Sequence, residues 1–242
     1  MKETLIIIPV FNEEKNISEV IKNIYQSVSD SNILVVDDGS TDGTPEVLNQ
    51  NNIPCISHAT NFGYGAAVQT GLKYAVKKKH KIVALMDGDG QHDPKELPRM
   101  IKTLKEENLD MVIGSRFIKS WKTIYSISLP RKIGMILFSN IAFLLTKVKI
   151  KDTTSGFQVF NAKTASFLEK IYPADHPDAE IVILLNLLSF KTKEIPVKMY
   201  PRMQGKSMIT LFRTLYYPFR MFVSIIVILL KVFLLKHQVK NA

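Results

Sequence analysis

Lys81-Ile82-Val83-Ala84-Leu85-Met86-Asp87-Gly88-Asp89-Gly90-Gln91-His92-Asp93-Pro94 is an apolar run that stops abruptly at two carboxylates separated by one glycine. Ile82 to Met86 is short, uninterrupted and bounded by turn residues, which predicts a strand buried on both faces of a parallel sheet. Asp87 and Asp89 then stand at its carboxyl end. In extended chain, residues i and i+2 point to the same side, so both carboxylates can face one hard cation, and Gly88 is expected to let a ligand approach the backbone. Mg²⁺ or Mn²⁺ held by one or two carboxylates completes its shell with water and phosphate oxygens, so the implied partner is a diphosphate. The competing reading is a solvated Asp-Gly turn closing a β-hairpin. The residues just downstream weaken it, since Asp93 can cap a helix, Pro94 suits its first position and Glu96 falls in its first turn.

Upstream, the chain repeats this grammar. Thr4 to Val10 reads as a strand, with Pro9 ending it where a ladder donor is no longer needed, and Asn12 is expected to cap the next helix. Ile17, Val20, Ile21, Ile24 and Val28 fall on one helical face. Asn32 to Val36 predicts a second strand running into Asp37-Asp38-Gly39-Ser40-Thr41-Asp42-Gly43-Thr44, after which Thr44 caps a helix opened by Pro45. Ile53 to Ser57 is a third strand, and Asp110 to Ser115 another. Gly63-x-Gly65 before a helix resembles a phosphate-cradling turn, but a structural role is favoured for it. The carboxylates thus gather where a doubly wound sheet binds ligands, outside the carboxyl ends of its strands.

The 242 residues suit one large α/β domain, alone or with an appendage. The single Cys55 excludes an intramolecular disulfide framework, and no basic-then-apolar leader is visible at the N-terminus, so a reducing, cytoplasmic setting is expected. The net charge of +10 is unevenly spread: residues 1–110 carry 12 Lys and Arg against 16 Asp and Glu, whereas residues 191–242 carry 10 against 1. Basicity therefore grows toward the most apolar part of the chain, which points to an anionic or lipid surface. No aromatic residues interleave a basic groove, which argues against nucleic acid.

Ile8 to Glu13 (IPVFNE), Val35 to Thr44 (VVDDGSTDGT), Met86 to His92 (MDGDGQH), Gly114 to Arg116 (GSR) and Asp152 to Phe157 (DTTSGF) occur in this order. Together they resemble the inverting family-2 glycosyltransferases of GT-A fold, and within them the dolichyl-phosphate mannose synthases and bacterial enzymes that glycosylate polyprenyl phosphates. The resemblance spans roughly residues 4–210 and implies an α/β, Rossmann-like, mostly parallel sheet flanked by helices, with a C-terminal amphipathic or apolar helical segment. Residues 1–206 would form the glycosyltransferase domain and 207–242 a membrane-associating helical tail.

By the same resemblance, Pro9, Phe11, Glu13, Asp37 and Asp38 would hold the nucleotide's base and ribose. Asp87 and Asp89 would hold Mg²⁺ or Mn²⁺ on the donor diphosphate, with Gln91 as a further ligand and Arg202 closing on the same diphosphate. Arg116 and Arg131 would bind an acceptor phosphate, a role suited to a planar, permanently charged fork. The acceptor side departs from the family pattern at Met135, Gln158 and Met208. If the acceptor were instead a hydroxyl of a glycan or lipid-linked saccharide, Asp152, Asp178 and Glu180 are the carboxylates available as base, although Asp178 and Glu180 equally suit the capping of the apolar Ile181–Leu188 helix. A non-catalytic membrane-associated binding protein is the alternative outside enzymology, and the intact acidic pair weighs against it.

After Arg220 the apolar run from Met221 reaches Leu230 before Lys231 and, continued to Leu235, covers fifteen positions. As helix that is roughly 22 Å, short of the ~30 Å hydrocarbon core, so no span is expected. Arg213, Tyr217, Arg220, Ser224 and Lys231 form a narrow polar stripe and Pro218 should break the segment. A helix lying in the cytoplasmic membrane interface is expected, as a peripheral or monotopic anchor. Packing on the domain or in a homo-oligomer interface is the alternative.

Overall fold

The apolar runs become one sheet. The computed structural model describes residues 3–118, 139–173, 178–202, 223 and 226–234. Seven strands, β1 (Thr4–Val10), β2 (Ser31–Asp37), β3 (Cys55–Ser57), β4 (Ile82–Leu85), β5 (Met111–Ser115), β6 (Gln158–Asn161) and β7 (Thr192–Pro196), lie in the order β3-β2-β1-β4-β6-β5-β7. Every residue of β1, β4 and β5 is buried, as a strand covered on both faces requires.

Side chains alternate between two helical layers. Ile6, Ile8 and Val10 of β1 pack with Ile17, Val20, Ile21 and Ile24 of α1 (Ile17–Ser27) and with Leu97, Met100 and Leu104 of α4 (Leu97–Glu106). Between these helices in sequence come α2 (Thr44–Gln50) and α3 (Tyr64–Lys77). Leu5 and Ile7 face the other way, onto Ala67, Val68, Leu72 and Ala75 of α3, in a core shared with α6 (Ala162–Ile171) and α7 (Asp178–Leu187). Helical segments at 139–146 (α5) and 226–234 (α8) add a satellite cluster, in which Ala142, Ile228 and Val232 meet Ile183 and Leu184 of α7.

The expected fold class is corrected in its sheet. The sheet is mixed, because β6 runs antiparallel to both β4 and β5 while the other pairings are parallel. Gln158 pairs with Leu85 and Ile113, so the chain that left the sheet at the carboxyl end of β5 re-enters at that same edge. A parallel β6 would need a crossover returning the chain to the opposite edge. At the C-terminus α8 is all that is described of the expected amphipathic helical segment, and no helix among the described residues is long and apolar enough to cross a membrane. Most of 207–242, including Arg213, Tyr217, Pro218, Arg220 and Ser224, lies outside the described residues. Within α8, Leu230, Phe233 and Leu234 are exposed, as are Phe143 and Leu144 of α5.

Local signals fared differently. Asp93 caps as expected, its Oδ1 accepting the Lys95 N–H at 3.0 Å ahead of a 3₁₀ turn (Pro94–Glu96) that feeds α4. Asn12 does not cap α1, which starts at Ile17. It adopts φ 58° and its Oδ1 accepts the Thr41 N–H at 2.8 Å, lacing the loop after β1 to the loop after β2. Pro9 sits inside β1 rather than ending it, opposite Val36 and beyond Ile7, where the β4 ladder has already stopped.

At Gly71, α3 lies tight against β1: a Cβ there would stand 2.4 Å from Cγ2 of buried Ile7. Exposed helical Gly→Ala changes stabilise by up to ~1 kcal/mol. Here we expect Gly71→Ala to destabilise by about 1–3 kcal/mol, the usual cost of overpacking, read as a lower urea midpoint with unchanged slope.

Candidate active site

The carboxyl ends of β1, β2 and β4 bring Glu13, Asp37, Asp38, Asp87 and Asp89 to one edge of the sheet, where the chain order reverses about β1. Immediately after β4, Asp87 Oδ1 accepts the Tyr64 hydroxyl at 3.1 Å, and Oδ2 lies 3.6 Å from His92 Nε2. The Asp87 N–H donates to His92 Nδ1 at 3.1 Å, which leaves the imidazole proton on Nε2. His92 stacks on Phe157 with centroids 4.7 Å apart, and burial depresses its pKa to about 4. It is neutral at pH 7.

Asp89 is buried. Its Oδ1 accepts the Gln91 N–H at 3.0 Å and its Oδ2 is 3.5 Å from Arg202 Nη1. The same guanidinium reaches Glu13 Oε1 through Nη2, while Asn16 Nδ2 donates to Glu13 Oε2 at 2.7 Å. Burial, and next the charge of Asp87, raise the pKa of Asp89; burial likewise raises that of Glu13, against the opposing pull of Asn16 and Arg202. Gly88 makes room inside the core, because a Cβ there would lie 2.6 Å from Val10 Cγ1. The Gln91 amide is turned to the Tyr200 carbonyl, with Nε2 at 3.5 Å.

On the β2 side, Asp37 Oδ1 accepts the Ser40 N–H at 3.1 Å. The Asp38 carboxylate accepts the N–H groups of Phe62 (3.0 Å) and Gly63 (2.8 Å) and meets His58 Nδ1 at 2.7 Å; His58 Nε2 contacts Thr70 Oγ1 at 2.9 Å. Two amides that could have cradled phosphate before α3 are thus taken by Asp38, and Gly63 has φ 101°, as a structural glycine should. Pro9 is buried and Phe11 half-buried beside this edge.

Arg116, at the end of β5, is folded onto Asp152: Nε and Nη2 donate to its two oxygens at 2.8 and 2.7 Å, and the Arg116 N–H adds a third bond at 2.9 Å. Nη2 also lies 3.2 Å from Thr154 Oγ1. Asp152 is fully buried, and Glu194 of β7 accepts its N–H at 2.6 Å and that of Lys151 at 2.9 Å. Arg131 lies outside the described residues. Asp178 begins α7, but its side chain lies outside the described residues; Glu180 is half-buried on that helix. Sequence reasoning missed Tyr64, His58 and Glu194 as members of this edge. For His58 the usable signal was its position one residue past a strand, where the site's other polar groups also sit.

Among the described residues no group of three or more His, Cys, Asp or Glu side chains forms a metal site. The donor set is nevertheless the right kind for a hard divalent cation that completes its shell with phosphate, since two hard carboxylates stand close enough for Asp87 to raise the pKa of buried Asp89.

The family match over two thirds of the chain, on this sheet, makes the protein a nucleotide-sugar-dependent glycosyltransferase of the GT-A type. Residues 5–167 match the model for Glycosyl transferase family 2, and the chain belongs to that family. It is related to enzymes that glycosylate dolichyl and undecaprenyl phosphates. It is 34% identical over 220 residues to an uncharacterised protein of Methanocaldococcus jannaschii, covering 88% of this chain and 90% of that one. It is 31% identical to the UDP-N-acetylglucosamine–dolichyl-phosphate N-acetylglucosaminyltransferase of Methanococcus voltae, over 80% of this chain and 84% of the relative. In fold it is similar to glucosyl-3-phosphoglycerate synthase from Mycobacterium tuberculosis, solved with Mn²⁺, UDP and glucosyl-3-phosphoglycerate (TM-score 0.65, 16% identity, 90% of this chain and 80% of that one).

A carboxylate whose folded pKa is raised stabilises below its unfolded pKa and loses that contribution as pH rises through the folded value. Metal-free Asp89→Asn is therefore expected to melt higher than wild type at pH 7, by about 2–4 °C for each kcal/mol recovered, with the gain vanishing as pH falls toward 4. For His92 the sign is opposite. Its folded pKa is depressed, so stability is lost as pH falls from 6.5 to about 4, by on the order of 3 kcal/mol in total, measurable as the pH dependence of the urea midpoint in chelator and its absence in His92→Gln.

Proposed function

We propose that this enzyme moves a sugar from a nucleotide-sugar donor to a polyprenyl phosphate in one inverting displacement. The observation that carries the reading is the guanidinium of Arg202 shared by Glu13 and Asp89 beside Asp87, one cation among three acids at the switch point of the sheet. In this reading Pro9, Phe11, Glu13, Asp37 and Asp38 line the nucleotide site; the Asp38 carboxylate acts mainly by holding the Phe62–Gly63 backbone. Asp87 and Asp89 would hold Mg²⁺ or Mn²⁺, with the Gln91 side chain nearby, and the cation would supply positive charge to the leaving nucleoside diphosphate. Arg202 would transfer from its acids to that diphosphate. A lipid phosphate oxygen forms the new bond to the anomeric carbon as the bond to the donor diphosphate breaks, and the diphosphate keeps the electron pair.

A phosphate acceptor is favoured over a hydroxyl by the state of Asp152. A phosphate is ionised at pH 7 and needs no base, whereas a hydroxyl must lose a proton as it attacks. Asp152 is one of the three carboxylates that could serve, and it is fully buried and committed to Arg116. The dolichyl-phosphate acceptor named for the Methanococcus voltae relative supports the same class. Arg116 and Arg131 would then face the acceptor phosphate. A polyprenyl acceptor is anchored in a bilayer, so the reaction would occur at a membrane surface, a setting that the exposed Leu144, Leu230 and Phe233 suit.

The test is a panel of nucleotide sugars incubated with membrane lipid extract and Mn²⁺. We expect label from one donor to enter the organic phase in a form released by mild acid, and Asp89→Ala to lower this by about 10²-fold or more. Arg116→Lys, which keeps a cation beside buried Asp152, should depress transfer to lipid and spare slow hydrolysis of the donor. Label in an acid-stable glycoside, or turnover abolished by Asp178→Asn without loss of stability, would move the acceptor to a hydroxyl.

A further inference from the structure

Asp87 is gripped by residues that the donor-site reading does not use. Tyr64 is the first residue of α3, and its hydroxyl donates to Asp87 Oδ1 at 3.1 Å. The backbone that delivers Tyr64 is itself fixed, since Asp38 accepts the two preceding N–H groups and Gly63 turns with φ 101°. A loop closes over the contact from a third direction. A Cβ added to Gly156 would stand 2.9 Å from the Tyr64 hydroxyl and 3.3 Å from both Asp87 oxygens, so a side chain at this position would push on the hydrogen-bonded pair. Beyond Oδ2 lies the His92 ring, immobilised between the Asp87 N–H and Phe157.

We propose that Tyr64 is a positioning residue for the divalent cation: by donating to Oδ1 under the cover of Gly156, it sets the orientation in which Asp87 meets the metal. The inference rests on the reading that Asp87 and Asp89 hold the cation. A carboxylate on a short side chain turns freely about its last torsion, and each orientation offers different lone pairs. Outer-shell donors that remove this freedom raise metal affinity by about 10- to 100-fold. Because Asp38 anchors the segment carrying Tyr64, the carboxylate that answers to the nucleotide side of the cleft also fixes, through one helix terminus, the carboxylate that answers to the metal.

The full chain is titrated with Mn²⁺ alone, free ion being counted by electron paramagnetic resonance, with thermal melting run in parallel. Tyr64→Phe is expected to weaken Mn²⁺ binding about tenfold with its melting temperature little changed, and Gly156→Ala to do the same by pushing into the contact. Asp87→Asn is the reference and should weaken binding at least as much. If Asp87→Asn loses binding while Tyr64→Phe and Gly156→Ala stay within twofold of wild type, the positioning role is overturned and the metal assignment survives. A melting temperature that falls in Tyr64→Phe with Mn²⁺ affinity unmoved makes Tyr64 a packing residue only, which equally overturns the role. Asp87→Asn binding Mn²⁺ like wild type overturns the metal assignment itself, and the inference with it.

Discussion

Asp89 holds its carboxylate where water gives it little help, under the charge of Asp87 and within reach of the Arg202 guanidinium. Burial and like charge both disfavour the ionised form, and Arg202, divided between Asp89 and Glu13, offsets only part of that cost. The resting arrangement is therefore short of positive charge at the switch point of the sheet. A ligand that brings a hard cation and then a diphosphate for Arg202 relieves the imbalance in both directions. In the proposed reaction, binding and catalysis would draw on the same electrostatic shortfall, which a well-balanced surface cluster would lack.

The protein spends much of its own polar machinery on keeping this edge rigid. Asp38, which looks from its position like a ligand group, accepts two backbone N–H groups and meets His58. Arg116 is locked to Asp152, and Asp152 in turn is anchored through its N–H by Glu194 on the neighbouring strand. Two glycines carry this economy furthest: Gly88 makes room for Val10 and Gly156 for the Tyr64–Asp87 contact. A site built on strand ends, with its side chains held by neighbours rather than by solvent, keeps its geometry before the substrate arrives.

Much of this was legible in the chain, for reasons that differ by element. β1, β4 and β5 could be read because a strand buried on both faces must be apolar throughout, and the helix after Asp93 because its cap and its proline act within a few residues of each other. β6 could not. It is four residues long, begins at a glutamine, and takes its direction from the edge at which the chain re-enters, a property of the path rather than of the residues. Asn12 misled for a related reason, since a side chain suited to capping its own helix found Thr41 on another loop.

The sequence alone determined the class of chemistry, because an apolar strand ending in Asp-Gly-Asp, repeated beside two other strand ends rich in acids, places like charges at one edge whatever the details of packing. Only the tertiary structure decided what each acid does there. Asp38 serves the backbone, Asp152 serves Arg116, Asp87 meets Tyr64 and His92, and Asp89 meets the Gln91 N–H and Arg202. The reason is physical: a carboxylate's role is set by the donors within about 3 Å of it. Apart from the Gln91 N–H on Asp89, the partners that separate these roles come from residues 20 to 113 positions away, a separation over which local sequence carries no information about contact.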